Sequence, residues 1–185
     1  MKSFLNISDL YYKSGNDGLV FLTFKIRVAI AIATSMEPRV IVADEPTSAL
    51  DVVVQRNVMQ TLGRLQEGLH ASIILIGHDM GLVAQFSDHV GVMYAGRLVE
   101  VGPVKTVFKS PKHPYTRLLI QSLPTLSNKT DFIGIPGLPA TLLNLPEGCA
   151  FCLRIGKEDK SKIPWVNVDK DHYIQECKTC ANYGK

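Results

Sequence analysis

The sequence predicts an α/β fold with parallel strands, a β-hairpin and a C-terminal helical tail that contains cysteines. Two apolar runs end in polar residues: Val40–Ala43 leads into Asp44 and Glu45, and Ser72–Gly77 leads into His78. Such runs are typical of buried parallel strands, whose carboxyl ends meet at one edge of a sheet. An apolar helical repeat lies between them, so the sequence predicts a ligand-binding edge that carries two carboxylates and an imidazole.

The composition limits the class of protein. A chain of 185 residues has room for one domain and a small appendage, and a hydrophobic fraction of 46% fits a globular core. A net charge of +3 is too mild to predict a nucleic-acid partner. Apolar runs fall short of the ~20 residues that span a bilayer, and residues 1–9 turn polar too early for a signal peptide. We therefore expect a cytoplasmic chain that reaches a membrane only through partner subunits.

The composition of the N-terminal residues predicts a strand, a turn and a helix. Residues 4–12 have the composition of a short strand, and residues 14–18 have that of a turn. The run Arg27–Met36 is apolar nearly all round, with alanines between the larger side chains, so it predicts a helix buried between layers. Glu37-Pro38 is expected to end this helix.

The central strand covers residues 40–44, and Pro46 is expected to stop it. Because side chains alternate along a strand, Asp44 and Glu45 point to opposite sides and cannot do the same work. The two acids are either functional groups or a solvated strand end. His78 faces the same choice, since a histidine after a strand is often a structural hydrogen-bonding residue.

The next helix begins at Asp51, which is either a simple N-cap or a functional residue. Gly68 is a plausible stop, and Asp79–Phe86 predicts a further short helix. The first of these helices has a three- and four-residue apolar repeat, formed by Val54, Val58, Leu62 and Leu65.

A hairpin and a short helix follow. Residues 88–94 and 97–101 flank Ala95-Gly96, a two-residue turn between antiparallel strands, and His89 is expected at the surface. Pro114 is placed to start a helix with an apolar face, so His113 and Tyr115 are interpreted as docking or capping residues. Prolines and glycines make residues 124–148 an irregular linker. The apolar face of the helix comprises Leu118, Leu119, Ile120 and Leu123.

The tail contains two Cys-x-x-Cys pairs, Cys149/Cys152 and Cys177/Cys180, separated by 24 residues. Each pair closes a tight local loop, so the four thiolates can meet at one tetrahedral centre. In a cytosolic chain this pattern favours a metal site over disulfides. By spacing alone zinc is the default, and the alternative is free reduced thiols.

Two stretches resemble known families. The run Val40–Asp51 resembles the Walker B motif and following loop of ATP-binding cassette (ABC) ATPases, which are P-loop NTPases. The segment around His113-Pro114-Tyr115 resembles the tail of oligopeptide/dipeptide importer subunits. The resemblance implies that Asp44 holds Mg²⁺ through water, that Glu45 orients the attacking water and that His78 contacts the γ-phosphate. It also implies that Asp51 signals across a dimer and that Tyr12 stacks on adenine, although a tyrosine in a strand is more often a packing residue.

The sequence lacks three segments that members of this family use to bind nucleotide. It has no glycine-rich loop ending in Gly-Lys-Ser/Thr, no glutamine loop and no Leu-Ser-Gly-Gly signature. Only Arg27-Val28 resembles the residues that normally end this signature. We therefore expect a truncated subunit with an incomplete core. Such a subunit needs a second ABC ATPase subunit to use ATP and Mg²⁺, and transmembrane permease subunits to handle a peptide. The expected parts are 1–22, a partial ATPase domain 23–108, a helix and linker 109–148, and a Cys-rich tail 149–185.

The resemblance opens a second assignment for the cysteines, because the importer family carries four tail cysteines that hold an iron–sulfur cluster. Family members usually show Cys-x-Phe-His-Pro-Arg-Cys, whereas here a cysteine follows early at Cys152 and the later one is missing near Ile155. His172-Tyr173 before Cys177 does fit the pattern. Zinc and an iron–sulfur cluster both remain open.

Two other functions are compatible with the sequence. The first is a non-catalytic docking or regulatory module with a structural metal site, which the missing phosphate loop favours. The second is a bare zinc module that acts on nucleic acid, and the mild charge disfavours it.

Overall fold

The computed structural model describes residues 5–6, 18–48, 50–123, 134–143, 145 and 147–183. The chain divides between Phe86 and Ser87 into two compact units. Of the helices in the described residues, none is both long enough and apolar enough to cross a bilayer. The elements of the first unit are β1 (Leu5–Asn6), α1 (Gly18–Thr34), β2 (Val40–Asp44), α2 (Val52–Leu69), β3 (Ser72–Ile76) and α3 (Met80–Phe86). Those of the second are β4 (His89–Tyr94), β5 (Arg97–Pro103), α4 (Val104–Lys109), α5 (Pro114–Gln121), α6 (Ala150–Arg154), β6 (Trp165–Asp169) and β7 (His172–Gln175).

A parallel sheet in the order β1-β2-β3 organises the first unit. Val40 pairs with Ser72 and Asp44 pairs with Ile76, so β2 and β3 end side by side. The predicted strands at 40–44 and 72–77 are therefore present as parallel neighbours. A parallel sheet aligns its carboxyl ends, which places the residues after β2 and β3 at one edge.

The core of the first unit covers one face of this sheet. Partly buried side chains of α2, β3 and α3 pack against it. The other face differs from the fully buried strands that the sequence predicts, since Val40, Ile74 and Ile76 are about half exposed. In the described residues these positions alternate with inward ones, as on a sheet covered on one side. The core residues are Ile26, Ile30, Ala43, Leu50, Val58, Met59 and Leu62.

Helix α1 begins nine residues before the predicted start at Arg27 and ends at Thr34. Residues 18–26 contain no helix breaker after Gly18, so the apolar run continues the helix toward the N-terminus. The helix is not buried all round, because Ile26 and Ile30 face the core whereas Ile32 is 62% exposed. The expectation of a fully enclosed helix was wrong on this point.

Helix α2 begins as predicted after Asp51 but does not stop at Gly68. It continues to Leu69, and His70 adopts the left-handed conformation with φ 50° and donates its backbone N–H to the Gln66 carbonyl. A left-handed C-terminal residue is most often glycine, but histidine also tolerates this region. The helix stop is therefore His70, two positions before the first residue of β3.

The second unit contains an antiparallel sheet in the order β4-β5-β7-β6. The predicted hairpin is present: β4 and β5 are joined by Ala95 and Gly96, with φ of 47° and 75°. Two successive positive φ angles define the tight turn that matches strand twist. The elements β6, β7, α4 and α6 were not predicted from the sequence, because their short segments have only a weak repeat of apolar residues.

Helix α5 begins at the predicted proline. Pro114 occupies the first turn, and His113 is the N-cap, whose Nδ1 accepts a hydrogen bond from the Tyr115 backbone N–H at 3.2 Å. His113 is 1% exposed, so this capping histidine lies inside the second unit. The capping interpretation of His113 is thus the one that the geometry shows.

Candidate functional site

The carboxyl end of β2 presents Asp44 and Glu45. Asp44 is the last residue of the strand, paired with Ile76, whereas Glu45 leaves it with φ 43°. The backbone N–H of Glu45 donates to the Ile76 carbonyl at 2.9 Å, which holds the turn against β3. A left-handed φ is uncommon for a residue with a side chain and costs of order 1–3 kcal/mol. The conformation turns the carboxylate of Glu45 toward the loop after β3.

Glu45 and His78 meet at this edge. Nδ1 of His78 lies 3.1 Å from Oε1 of Glu45, although the two residues are 33 positions apart in the chain. The side chains are 79% exposed for His78 and 49% exposed for Glu45. An exposed pair of this kind contributes little to stability. The pair therefore leaves both groups accessible to a ligand or a water molecule.

A pocket of about 120 Å³ opens beside the pair. Gln55 on α2 donates from Nε2 to the Thr47 carbonyl at 3.2 Å, which ties the loop after β2 to the helix that follows it. Pockets that enclose a whole cofactor are usually ~300–1,000 Å³, so this one holds only part of a nucleotide-sized ligand. Its lining is Glu45, Pro46, Thr47, Ser48, Gln55, Met59, Leu75, Ile76, Gly77, His78, Asp79, Leu82 and Val83.

Asp51 caps α2. Its Oδ1 accepts hydrogen bonds from the backbone N–H groups of Val53 at 2.9 Å and Val54 at 3.0 Å. Asp79 caps α3 in the same way, since its Oδ1 accepts from Gly81 at 2.8 Å and Leu82. The geometry accounts for Asp51 as a helix cap, and its signalling role remains a prediction. Tyr12, the predicted adenine-stacking residue, lies outside the described residues.

The four cysteines converge in the second unit. Their Sγ atoms all lie within 4.8 Å of one another. Sγ of Cys149 is 3.8 Å from that of Cys180, and Sγ of Cys152 is 3.4 Å from that of Cys177. Each short distance joins one residue of the first pair to one of the second, and all four are free and buried. Four converging thiols are a donor set that soft and borderline metal ions accept.

The four thiols have unequal pKa values. Hydrogen bonds from Cys180 and from His113 lower the pKa of Cys149 to about 3. Burial is the main reason why the pKa values of Cys152 and Cys177 are raised. The pKa of Cys180 is raised because its thiol donates to Cys149 and because it is buried.

Polar groups surround the cysteines. The thiol of Cys177 donates to Oδ2 of Asp159 at 3.3 Å, and Thr179 donates to the same oxygen at 2.7 Å. Hydrogen bonds, led by the one from Ser161, lower the pKa of Asp159. Arg117 on α5 donates from Nη2 to the carbonyls of Ala181 and Tyr183 at 2.8 and 2.9 Å, which fixes the chain after the second cysteine pair.

One buried acidic residue, Glu100, was not predicted from the sequence. Glu100 on β5 and His172 on β7 are both 0% exposed, and Nε2 of His172 lies 2.7 Å from Oε1 of Glu100. The Glu100 carboxylate also accepts the backbone N–H groups of Lys112 at 2.8 Å and His113 at 3.0 Å. The sequence does contain a signal for this pair. Glu100 is the single charged residue in the run Leu98–Val101, and His172 in the C-terminal part is a possible partner.

Comparisons with known proteins find relatives among peptide-transport ATP-binding proteins. Residues 99–156 match a family model described as the oligopeptide/dipeptide transporter, C-terminal region. The dipeptide transport ATP-binding protein DppD of Lactococcus lactis is 43% identical over 154 residues, which are 80% of this chain and 44% of that protein. The oligopeptide transport ATP-binding protein OppD of Bacillus subtilis is 43% identical over 155 residues, 80% of this chain and 43% of its own length.

A putative peptide import ATP-binding protein of Brucella melitensis is 46% identical over 129 residues, 69% of this chain and 39% of that protein. Among solved structures, a component of the ABC transporter complex cbiONQ from Clostridium perfringens is 39% identical. The match covers 48% of this chain and 36% of that one, with a TM-score of 0.46. The chain thus spans less than half the length of the curated relatives that it matches.

Proposed function

Since the chain is homologous to the ATP-binding subunits of oligopeptide and dipeptide ABC transporters, we propose that it supplies the hydrolytic edge of such a subunit. The observation that carries the proposal is the contact of Glu45 with His78 at 3.1 Å, at the carboxyl ends of two parallel strands. Open α/β sheets bind their ligands at this edge. The proposed activity is a contribution to the ATP hydrolysis that drives peptide import.

In this proposal the acidic residues have separate roles. Asp44, at the end of β2, holds Mg²⁺ through water, and Glu45 accepts a proton from the water that attacks the γ-phosphate. His78, whose Nδ1 faces the Glu45 carboxylate, contacts the γ-phosphate from the other ring nitrogen. Mg²⁺ itself supplies charge neutralisation of the phosphates when ATP is bound.

In this proposal the groups that hold the phosphates of ATP come from outside these 185 residues. The sequence contains no Gly-Lys-Ser/Thr loop, and the pocket beside Glu45 is smaller than a nucleotide needs. Electrostatic stabilisation of the transferring phosphoryl group is the largest share of such catalysis. We therefore propose that hydrolysis requires a second ABC ATPase subunit, and that permease subunits place the assembly on the cytoplasmic face of a membrane.

The four cysteines form a second proposed site, which holds either zinc or an iron–sulfur cluster. Their convergence within 4.8 Å supports a metal site over four unrelated thiols. Burial of all four sulfurs protects such a site from solvent. The role of this metal is structural, since it joins the chain around α6 to the chain after β7.

The test mixes the chain with a full-length relative, DppD of Lactococcus lactis, whose own catalytic carboxylate is replaced by an amide. We expect Mg²⁺-dependent phosphate release from the mixture, and a loss of ~100-fold or more when the chain carries Glu45→Gln, since a general base contributes ~10²–10⁴-fold. The control is Glu67→Gln, which removes the same charge from an exposed position on α2.

Each outcome separates the candidate functions. Equal phosphate release by Glu45→Gln and Glu67→Gln would exclude the catalytic role of Glu45. No phosphate release by the wild-type mixture, together with no binding of a fluorescent ATP analogue to the chain at millimolar concentration, would favour the alternative. That alternative is a docking or regulatory module with a structural metal site, and the missing phosphate loop is the observation that favours it.

A further inference from the structure

We propose that the four cysteines bind one tetrahedral divalent ion, Zn²⁺, and do not hold an iron–sulfur cluster. The inference deepens the metal site proposed above and is independent of the ATPase role. It rests on the spacing of the sulfur atoms, because that spacing differs between one shared ion and a cluster. The sulfurs are those of Cys149, Cys152, Cys177 and Cys180.

The spacing fits a single ion. Four sulfurs that each lie about 2.3 Å from one zinc ion at the corners of a tetrahedron are separated from one another by about 3.8 Å. The Cys149–Cys180 and Cys152–Cys177 distances are 3.8 and 3.4 Å, and no separation among the four sulfurs exceeds 4.8 Å. The two contacts lie within about 0.4 Å of the tetrahedral value, and the longest separation exceeds it by at most about 1 Å.

The spacing does not fit a cluster. In a [4Fe–4S] cluster each thiolate binds a different iron and points away from the centre, so the sulfurs lie farther apart than the ligands of one ion. A [2Fe–2S] cluster keeps two close pairs but separates one pair from the other by the width of the cluster. Here both short contacts and all the cross-distances fall within the same 4.8 Å.

The chain connectivity agrees with one shared ion. Cys149 is the N-cap of α6, and the Cys152 backbone N–H donates to the Cys149 carbonyl at 3.1 Å, which is the tight local turn of a Cys-x-x-Cys ligand pair. The second pair lies in the turn after β7, where the Tyr183 N–H donates to the Cys180 carbonyl at 2.8 Å. The two turns present their sulfurs to each other across a buried gap. Two Cys-x-x-Cys turns are the usual ligand set of a structural zinc site.

Two of the groups around the site, Arg117 and His113, suit the negative charge of a zinc–tetrathiolate centre, whereas the Asp159 carboxylate, 3.3 Å from Sγ of Cys177, does not. Such a centre has a net charge of about −2. The guanidinium of Arg117 is held beside the second pair by its hydrogen bonds to the carbonyls of Ala181 and Tyr183. His113 hydrogen-bonds to Cys149, and its Nδ1 already accepts the Tyr115 N–H, which assigns the proton to Nε2. An imidazole N–H aimed at a ligand sulfur orients that ligand.

The first test measures metal in the intact chain purified without oxygen. We expect one zinc ion per chain by elemental analysis. We also expect replacement by Co²⁺ to give the visible absorption of a tetrahedral thiolate site, and incubation with Fe²⁺ and sulfide to leave the zinc in place. Several irons and acid-labile sulfides per chain, with charge-transfer absorption, would overturn the proposal. So would a chain that binds neither metal.

A pair of variants tests the ligands. Cys177→Ser is expected to weaken Zn²⁺ binding by more than about 100-fold, beyond the ~10–100-fold that loss of an outer-shell partner costs. Lys178→Ser, at the next and exposed position, is the matched control and should bind Zn²⁺ as the wild type does. If both variants compete equally with a chromophoric chelator, the assignment of Cys177 is wrong. Neither measurement involves nucleotide, so a failed ATPase role leaves both results unchanged.

Discussion

Glu45 illustrates how a single residue links sequence, backbone and chemistry. It follows the last residue of β2 in the left-handed conformation, φ 43°, and its side chain meets His78 from the end of β3. Backbone strain of this kind persists only where the surrounding structure imposes it, here through the hydrogen bond from Glu45 N to the Ile76 carbonyl. The strained residue is also the one to which the family resemblance assigns the role of orienting the attacking water.

Asp51 gives a prediction at the residue scale. Because its carboxylate accepts two backbone N–H groups at the start of α2, Asp51→Ala should lower the free energy of unfolding by about 1 kcal/mol. Urea denaturation followed by far-ultraviolet circular dichroism measures the change. Asp51→Asn keeps a capping oxygen and should lose only a few tenths of a kcal/mol. A stability of Asp51→Ala equal to that of the wild type would show that the cap contributes nothing.

At the scale of elements, Glu100 connects three segments of the second unit. Its carboxylate lies on β5 and accepts from the chain entering α5 and from His172 on β7. Nδ1 of His172 is buried and, within the described part of the chain, has no hydrogen-bond partner. Removing one member of a buried, hydrogen-bonded pair usually costs far more than an exposed substitution. The Glu100–His172 pair therefore links β7 to the hairpin of β4 and β5.

The corresponding prediction concerns Glu100→Gln. We expect it to lower the free energy of unfolding of the second unit by about 3–5 kcal/mol. His172 loses its charged partner, and the glutamine amide has one acceptor oxygen where the carboxylate has two. Fluorescence of Trp165 on β6, the single tryptophan of the chain, reports the transition. The control is Glu176→Gln, an exposed residue that should change stability by less than about 0.5 kcal/mol. Similar urea midpoints for the two variants would contradict the prediction.

At the scale of the whole molecule, the exposed apolar surface is the main feature. Parallel sheets are normally covered on both faces, yet Ile74 and Ile76 of β3 are 53% and 47% exposed, and Ile32 of α1 is 62% exposed. Exposed apolar faces and open sheet edges favour association. The first unit therefore has surfaces suited to a further polypeptide, as the proposed function requires.

We predict that the chain alone self-associates at micromolar concentration. Ile74→Thr combined with Ile76→Thr should reduce this association, since threonine keeps strand propensity but removes apolar area. Sedimentation velocity measures the change. Met93→Thr is the matched control, because it removes a 57% exposed apolar side chain from a strand of the second unit and should leave the association intact. A monodisperse wild-type monomer that unfolds cooperatively would show that these surfaces are tolerated.

The sequence by itself determined the elements with strong local signals. The apolar runs that end in Asp44 and Gly77 gave β2 and β3, Pro114 marked the start of α5, and Ala95-Gly96 marked the hairpin turn. Each of these rests on short-range physics, namely side-chain alternation, a fixed proline φ or a positive φ. The two Cys-x-x-Cys pairs likewise identified the candidate ligands by spacing alone.

Only the tertiary structure decided which distant residues meet. The contact of Glu45 with His78 depends on the register of β2 with β3, and the Glu100–His172 pair depends on that of β5 with β7. The crossed pairing of the cysteines, Cys149 with Cys180 and Cys152 with Cys177, depends on the packing of α6 against the turn after β7. Local propensity carries no information about pairing across 25 to 72 positions, because long-range contacts are selected by the burial of the whole unit.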